Sequence, residues 1–267
     1  MKKLFSALLG AYGFLTRLPV PYVELELKDF SLITNFFPVV GATEGFTIGL
    51  AIAILLPLLK NPQLLAILGI VTSFLVRGIF HLDGLSDTCD ALCIKPSGNE
   101  EDHIEKRLTI MKDSTVGVGG VAGVVTLVLT KFVVLTGLIR LKLFFPALIV
   151  AYALSRWIIV LFMCFTPPAK ASGLGYLLGK NMKKTYGVFA SLITLLICFG
   201  CLFFYYGGVQ GLELLGKVGV LLLLWSLIFR QICMKNFRGL TGDTLGALVE
   251  TSEVLSLVAF LLLGGKI

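Results

Sequence analysis

The sequence predicts an all-α, polytopic membrane protein: a helix bundle that crosses the bilayer about seven times, with one further helix at the N-terminus. Composition is the first observation, since 57% of the 267 residues are hydrophobic and only 15% are charged. Soluble domains are about 45–50% apolar and about 25% charged. The second observation is that apolar runs of bilayer length recur along the chain. No tandem repeat is apparent, so residues 1–267 are predicted to form a single membrane-embedded domain.

The first predicted element is an amphipathic helix. Leu4, Leu8, Tyr12 and Leu15 fall near a helical period, and the run is short for a span, so we expect it at or partly in the membrane interface. Whether it lies flat or inserts stays open. The predicted spans follow at about residues 34–59, 64–80, 118–139, 143–165, 186–206, 217–232 and 245–263.

Charged residues inside these runs need a separate explanation: Glu44, Arg77, Lys131 and Arg156. A charge within a span is costly and is a functional candidate by default. For Glu44 the alternative is a structural hydrogen bond near a helix end. Arg77 is expected either to reach the interface or to pair with Glu44 or with the acidic segment that follows it.

The remaining composition limits partners and redox state. A net charge of +7 in a membrane protein indicates cytoplasmic loops facing anionic lipid, and no basic tract interleaved with aromatics indicates nucleic-acid binding. The partners predicted at this level are the lipid bilayer and an anionic substrate, with a homo-oligomer left open. The six cysteines are expected to be free thiols.

The acidic segment, residues 80–92, comes directly after the second apolar run. In a helix its three carboxylates, Asp83, Asp87 and Asp90, fall at i, i+4 and i+7 and share one face, with His81 just before them. Unpaired carboxylates that repel one another are more stable around a divalent cation. The alternative is a solvated acidic helix end.

Two further polar motifs precede apolar runs. Lys112-Asp113-Ser114 and the glycines after it resemble a phosphate cradle at a helix N-terminus, although the order of a P-loop is missing. Residues 239–247 place Thr241 and Asp243 among small residues that allow close approach to a ligand, or that simply form a turn before a packed helix.

The charge distribution brings these motifs to one side. With seven spans and a cytoplasmic N-terminus, most Lys and Arg fall in the inner loops, as the positive-inside rule requires. The acidic segment, residues 112–114 and residues 238–243 then meet the cytoplasmic surface together. They are predicted to form one site.

The acidic segment resembles the signature of the cobalamin synthase family, the adenosylcobinamide-GDP ribazoletransferases. Residues 16–21, 110–114 and 239–247 are similar to its other blocks in the same order, and Ser86, Cys89 and Ala91 are departures that remove no carboxylate. The resemblance implies a magnesium-dependent phosphotransferase of the cell inner (plasma) membrane with its active site facing the cytoplasm. It would join adenosylcobinamide-GDP to α-ribazole, or to its 5′-phosphate, giving adenosylcobalamin or its phosphate and GMP.

For that reaction the sequence suggests a role for each candidate. Asp83, Asp87 and Asp90 are the expected Mg²⁺ ligands. The hydroxyl proton would go to Asp243, Asp113 or His81, of which the aspartates could instead complete the metal site. The expected substrate- and phosphate-binding residues are Arg17, Lys112, Ser114, Thr241 and Arg238, with Arg156 as a further possibility. Glu44 and Glu250 rank lower as candidates for the site.

Two other functions remain open at this stage. A lipid CDP-alcohol phosphotransferase would also be a membrane enzyme, but its Asp-Gly-x-x-Ala-Arg block and the spacing after it are not reproduced. A transporter would line a pathway with the intramembrane charges. Release of GMP from the two precursors in the presence of Mg²⁺ distinguishes the enzyme from a transporter.

Overall fold

In a computed structural model, the structure describes residues 2–23, 26, 30–95, 99–113 and 115–265. Within these residues the chain is all-α, as predicted, and contains no strand. The helices are α1 (Lys2–Leu15), a 3-10 helix (Phe30–Phe36) that continues into α2 (Phe37–Leu55), α3 (Pro62–Arg77), α4 (Phe80–Cys93), α5 (Glu100–Ile110), α6 (Val118–Arg140), α7 (Phe144–Phe165), α8 (Leu174–Gly179), α9 (Lys184–Tyr206), α10 (Gly208–Phe237) and α11 (Gly242–Leu263).

The number of apolar helices agrees with the predicted multi-pass topology. Six are long and apolar enough to cross a membrane within the described residues, namely α2 with its 3-10 extension, α6, α7, α9, α10 and α11. Helices α3 and α4 make a seventh span only if they are taken together. At 1.5 Å per residue α3 alone is about 24 Å long, short of the roughly 30 Å hydrocarbon core.

The second predicted apolar run forms α3, but the helix ends at a sharp bend, since α3 and α4 meet at 97°. Gly78 stands at the bend with a φ of 79°, a left-handed conformation that glycine adopts without a Cβ clash. Its N–H donates to the carbonyl of Phe74 (2.8 Å) and closes α3. The backbone N–H of Arg17 donates to the carbonyl of Val76 (2.7 Å), so the chain after α1 is held at the same corner.

A second boundary also differs from the prediction. The sequence places a span at 217–232, whereas α10 extends from Gly208 to Phe237. Gly207, with a φ of 81°, separates it from α9. Lys217, at the predicted start of that span, lies within α10 and pairs with Glu213 one turn earlier (2.6 Å).

Helices α7 and α11 form the centre of the bundle. About 72% of the most apolar part of α7 and 67% of that of α11 are buried, against 28% for α6, α9 and α10. Helix α2 lies close to α7, since a Cβ at Gly41 or Gly45 would come within 2.2 or 2.3 Å of a carbonyl oxygen of α7. This four-residue spacing of small residues is typical of tightly packed membrane helices.

The intramembrane charges form a closed cluster in this centre, which we call the ion network. Arg77 donates to Glu250 (2.6 Å) and to Glu253 (2.7 Å), and Lys131 donates to the same two carboxylates (2.6 Å each). Arg156 bonds to Glu44 and Glu253. Three cations thus meet three carboxylates, and all six side chains are buried.

The ion network corrects two expectations. Arg77 neither reaches the interface nor pairs with Glu44 or the acidic segment, because Glu250 and Glu253 of α11 take its guanidinium. Arg156 is a further candidate for binding the pyrophosphate in the sequence analysis, but its guanidinium is buried between Glu44 and Glu253. Glu44 has a structural role, as a partner of Arg156, although it lies in the interior of α2 and not near a helix end. All six cysteines are free thiols, as predicted.

Candidate active site

The acidic segment and residues 239–247 are in direct contact, as predicted. Helix α4 crosses the start of α11 at Gly84, where a Cβ would come within 2.7 Å of the Asp243 carbonyl oxygen. One turn further along α11, a Cβ at Gly246 would be 3.1 Å from the carbonyl oxygen of His81. Because neither position has room for a side chain, the two backbones meet and bring Asp83 of α4 next to Asp243 of α11.

The carboxylates of this junction lie close enough to affect one another. Asp87 is in the field of Asp83, Asp243 and Asp90. In the described part of the chain, no Lys or Arg forms an ion pair with Asp83 or Asp87. Asp83 is exposed, whereas Asp87 and Asp243 are half-buried. The site therefore carries an excess of negative charge that a cation would neutralise.

The donor set suits Mg²⁺ in particular. Among the described residues no three His, Cys, Asp or Glu side chains converge into a ready-made metal cage. Mg²⁺ rarely uses such a cage, because it keeps several waters and is bound by one or two carboxylates together with substrate phosphates. Asp83 and Asp87 offer hard oxygen donors of that kind beside Asp243.

Asp90 has a structural role that the sequence did not reveal. Its two carboxylate oxygens accept from the backbone N–H groups of Gly117 and Gly120, each at 2.8 Å, so it caps the N-terminus of α6. Each oxygen keeps a second lone pair. Metal binding by Asp90 thus stays a prediction. Within the described structure Asp83 and Asp87 do not cap a helix in this way, so their carboxylates are more available to a metal ion.

The contact of Asp90 with Gly117 and Gly120 also changes the interpretation of the predicted phosphate cradle. The glycines after residue 116 do not open onto a ligand, because a Cβ at Gly120 would lie 2.2 Å from Ser86 Oγ and 2.5 Å from Asp90 Oδ2. The N-terminus of α6 already holds an anion, the carboxylate of Asp90. Ser114 lies outside the described residues.

Two lysines line a separate cavity of about 230 Å³, which we call the lysine cavity. Lys112 and Lys170 line it together with residues 172–176 and the start of α11 at Gly242 and Asp243. Lys170 also donates to the carbonyl of Leu108 (2.9 Å). Burial lowers the pKa of Lys170, and the charge of Lys112 lowers it further, so two cations share this space.

Backbone pairing explains how Lys170 reaches the cavity. Leu240 donates to the carbonyl of Pro167 (2.9 Å) and accepts from the N–H of Ala169 (2.8 Å). These bonds hold residues 167–169 beside the turn that precedes α11. Sequence reasoning missed Lys170, which stands in a loop of several lysines and has no motif around it.

A second cavity, of about 220 Å³, is also lined by Asp243, and we call it the apolar cavity. Asp83, His81 and Asp243 line it at the junction. The rest of its wall is formed by Phe14, Leu15, Phe37, Phe80, Ile159, Leu174, Leu178, Gly242, Leu245 and Gly246. His81 is buried, and its Nδ1 has no hydrogen-bond partner in the described structure. Leu174, Gly242 and Asp243 belong to both cavities.

Thr241 stands at the entrance to α11, where it stabilises the helix end. Its hydroxyl accepts from the N–H of Thr244 (3.1 Å), and the Thr244 hydroxyl accepts from the N–H of Thr241 (2.8 Å). This capping box fixes the first turn of α11, which carries Asp243. The predicted phosphate contact of Thr241 stays a prediction, since the residue also lines the lysine cavity.

The remaining candidates lie apart from both cavities. Arg17 is exposed at the bend between α3 and α4, where its side chain passes over Gly78. Arg238 is exposed and pairs with Glu101 (3.2 Å). Asp113 accepts from the N–H of Thr115 (3.0 Å), which holds its pKa below the usual range and makes it a weaker base.

Comparison with known proteins identifies the family. The family described as "Cobalamin-5-phosphate synthase" matches residues 7–261, nearly the whole chain. The chain belongs to the cobalamin-5-phosphate synthase family. Among its relatives, a protein of Thermodesulfovibrio yellowstonii is 34% identical over 259 residues, 97% of each chain. One of Klebsiella pneumoniae strain 342 is 36% identical over 98% of this chain and 100% of its own.

Both relatives are named adenosylcobinamide-GDP ribazoletransferase, as is a protein of Desulfitobacterium hafniense that is 33% identical over 97% of this chain and 96% of its own. Membership of the cobalamin-5-phosphate synthase family confirms the resemblance seen in the acidic segment. It does not favour the alternative function, a lipid CDP-alcohol phosphotransferase. No solved structure matches the chain.

Proposed function

We propose that this multi-pass membrane protein is an adenosylcobinamide-GDP ribazoletransferase that closes the nucleotide loop of cobalamin. It joins adenosylcobinamide-GDP to α-ribazole, or to α-ribazole 5′-phosphate, and releases GMP. One observation carries the proposal most directly: the contact at Gly84 places unpaired carboxylates of α4 beside Asp243 and the lysine cavity. Phosphoryl transfer needs both a cation site and an anion site at one place.

The atoms of the reaction can be assigned to these groups. A ribose hydroxyl oxygen of α-ribazole forms a bond to the cobinamide-side phosphorus, and the bond from that phosphorus to the bridging oxygen breaks. GMP leaves with the bridging oxygen. Asp243 is our choice for the group that accepts the hydroxyl proton, because it lines both cavities and stands between them.

The charged side chains bind and orient the pyrophosphate. Lys112 and Lys170 neutralise its non-bridging oxygens from the lysine cavity. Asp83 and Asp87, with Asp90 behind them, would hold Mg²⁺. Bound Mg²⁺ supplies charge neutralisation on the phosphate oxygens and alignment of the reacting groups. The intramembrane charges pair with one another in the ion network. They are therefore not free to line a charged pathway of the kind that a transporter would use.

We further propose that the site faces the cytoplasm from the cell (inner) membrane. The basic loops predicted for the inner side support this orientation. Cytoplasmic nucleotides would reach the lysine cavity directly.

The test is release of GMP by purified protein in liposomes supplied with adenosylcobinamide-GDP, α-ribazole and Mg²⁺. We expect GMP and adenosylcobalamin to appear in equal amounts, and a chelator to stop both. Failure to form GMP under these conditions would overturn the proposal.

A further inference from the structure

The apolar cavity has a composition that none of the phosphate chemistry explains. Apart from His81, Asp83 and Asp243 at the junction, aromatic and aliphatic side chains and glycine backbone form its wall. Phe80 packs on the His81 ring with 4.1 Å between ring centroids, and Leu178, which also lines the cavity, is buried. Such a wall suits a flat apolar group with few hydrogen-bonding atoms.

Charge and size decide which part of the two substrates fits. Phosphate groups are drawn to the lysine cavity, where Lys112 and Lys170 stand. The corrinoid is far too large for a cavity of about 220 Å³. Guanine carries several donors and acceptors around its edge, and burying them without partners is unfavourable. The benzimidazole-type base of α-ribazole has almost none.

From this, we infer that the apolar cavity binds the heteroaromatic base of the acceptor nucleoside and so selects the lower-ligand base. The inference rests on the proposed function and adds to it the place of one substrate. A base held there puts its ribose at Gly242 and Asp243, the wall shared with the lysine cavity. The nucleophilic hydroxyl then lies between the proton acceptor and the phosphate site.

Among the residues that line the cavity, His81 carries a buried polar atom that lacks a partner in the described structure. Its Nδ1 is buried without a partner, which is costly unless a ligand completes the hydrogen bond. A base nitrogen or a ribose hydroxyl of α-ribazole would meet that requirement.

The experiment fills or enlarges the cavity at Leu178. Leu178→Phe narrows it, and we expect the KM for α-ribazole to rise at least about tenfold, with a smaller rise for the corresponding imidazole riboside. The KM for adenosylcobinamide-GDP should stay unchanged. Leu178→Ala should accept a naphthimidazole riboside better than the wild type does. Leu129→Phe, at an exposed position of α6, is the matched control and should leave both KM values alone.

A binding measurement separates this inference from the proposed function. Titration of α-ribazole alone into the detergent-solubilised wild type, Leu178→Phe and Leu178→Ala needs no turnover. If the wild type releases no GMP but Leu178→Phe still weakens α-ribazole binding, the cavity assignment stands and the proposed function fails. If the wild type is active and neither Leu178 variant changes base selectivity or α-ribazole affinity, the cavity assignment fails alone. Loss of activity in Leu178→Phe with unchanged α-ribazole binding counts against it too.

Discussion

The ion network and the carboxylate junction (Asp83, Asp87 and Asp243) both contain carboxylates, but they differ in whether those carboxylates are paired with cations. In the ion network, Glu250 and Glu253 of α11 meet Arg77 and Lys131 within 2.7 Å, and every member is buried. At the junction, Asp243 lies beside Asp83 and Asp87 of α4, which have no ion-pair partner in the described structure. Asp243 precedes Glu250 and Glu253 on α11 by about two to three helical turns. Helix α11 thus carries a neutral cluster at its middle and an acidic one at its start.

The difference indicates what each cluster does. Buried charges are tolerated when they are paired and hydrogen-bonded, and a balanced set can then fix the register of the helices that carry it. Carboxylates left unpaired at a helix start, beside two cavities, keep their capacity to bind a cation and a substrate. Removing a charge should therefore harm folding in the first cluster and turnover in the second.

The largest expected effect is at the junction. Asp83→Asn or Asp87→Asn keeps the side-chain volume but removes a negative charge, and we expect transfer to fall by at least about 10³-fold. Initial rates of GMP release in liposomes measure the loss. Insertion and thermal stability should match those of the wild type, and Asp102→Asn on the exposed face of α5 serves as the control. Turnover like that of the wild type in Asp83→Asn would remove it from the metal site.

Next comes the ion network, where the expected loss is one of stability. Glu253→Leu leaves Arg77 and Lys131 with only Glu250 as a partner, and breaking a buried pair in this way costs about 3–5 kcal/mol. Unfolding in mixed detergent micelles measures the change. The exposed pair Glu213–Lys217 is the control, and Glu213→Gln should cost less than about 1 kcal/mol.

A double substitution sharpens this prediction. Lys131→Met with Glu250→Gln removes one cation and one anion and keeps the network neutral. We expect the double variant to be less destabilised than the sum of the single variants, with a coupling of about 0.5–3 kcal/mol. Additive losses would contradict a charge-balanced network.

The lysine cavity should show an intermediate effect on substrate binding. Lys112→Gln or Lys170→Gln removes a charge-assisted hydrogen bond to phosphate, worth about 1.5–3 kcal/mol, so the KM for adenosylcobinamide-GDP should rise roughly 10- to 100-fold. Lys106→Gln, exposed on α5, is the control. An unchanged KM in both cavity variants would place the pyrophosphate elsewhere.

The lowered pKa of Lys170 adds a pH dependence with a definite sign. The cation is present below that pKa and is lost as pH rises through it, so phosphate affinity should fall on the alkaline side earlier than an ordinary lysine would allow. The Lys170→Arg variant stays charged, so its phosphate affinity should persist to a higher pH than that of the wild type. The profile of KM against pH for the two proteins measures the difference.

The smallest expected effect is at Asp90, where both kinds of role meet. Asp90→Asn weakens the cap of α6 and should cost about 1 kcal/mol of stability, with a smaller loss of turnover than Asp83→Asn. Thermal unfolding and initial rates, taken together, measure both. A loss of turnover as large as that of Asp83→Asn, without loss of stability, would show that metal binding outweighs capping.

Local pattern was enough for the helices and for the carboxylate face. A membrane-spanning helix satisfies its own backbone hydrogen bonds, so an apolar run of sufficient length predicts it without knowledge of its neighbours. Likewise the spacing of Asp83 and Asp87 places them on one side of α4 by helical geometry alone. The bend at Gly78 was missed because the apolar run continues across it, and nothing local shows that the chain turns by 97°.

What the sequence by itself determined about this protein is the membrane fold, the family and the acidic side of the candidate site. Only the tertiary structure decided the partners. Arg77 finds Glu253 across 176 residues, and Lys170 reaches Leu108 across 62. The carboxylate of Asp90 goes to the start of α6 instead of standing free. The physical reason is that pairing of charges depends on distances through space, which helix crossing sets and which spacing along the chain does not encode.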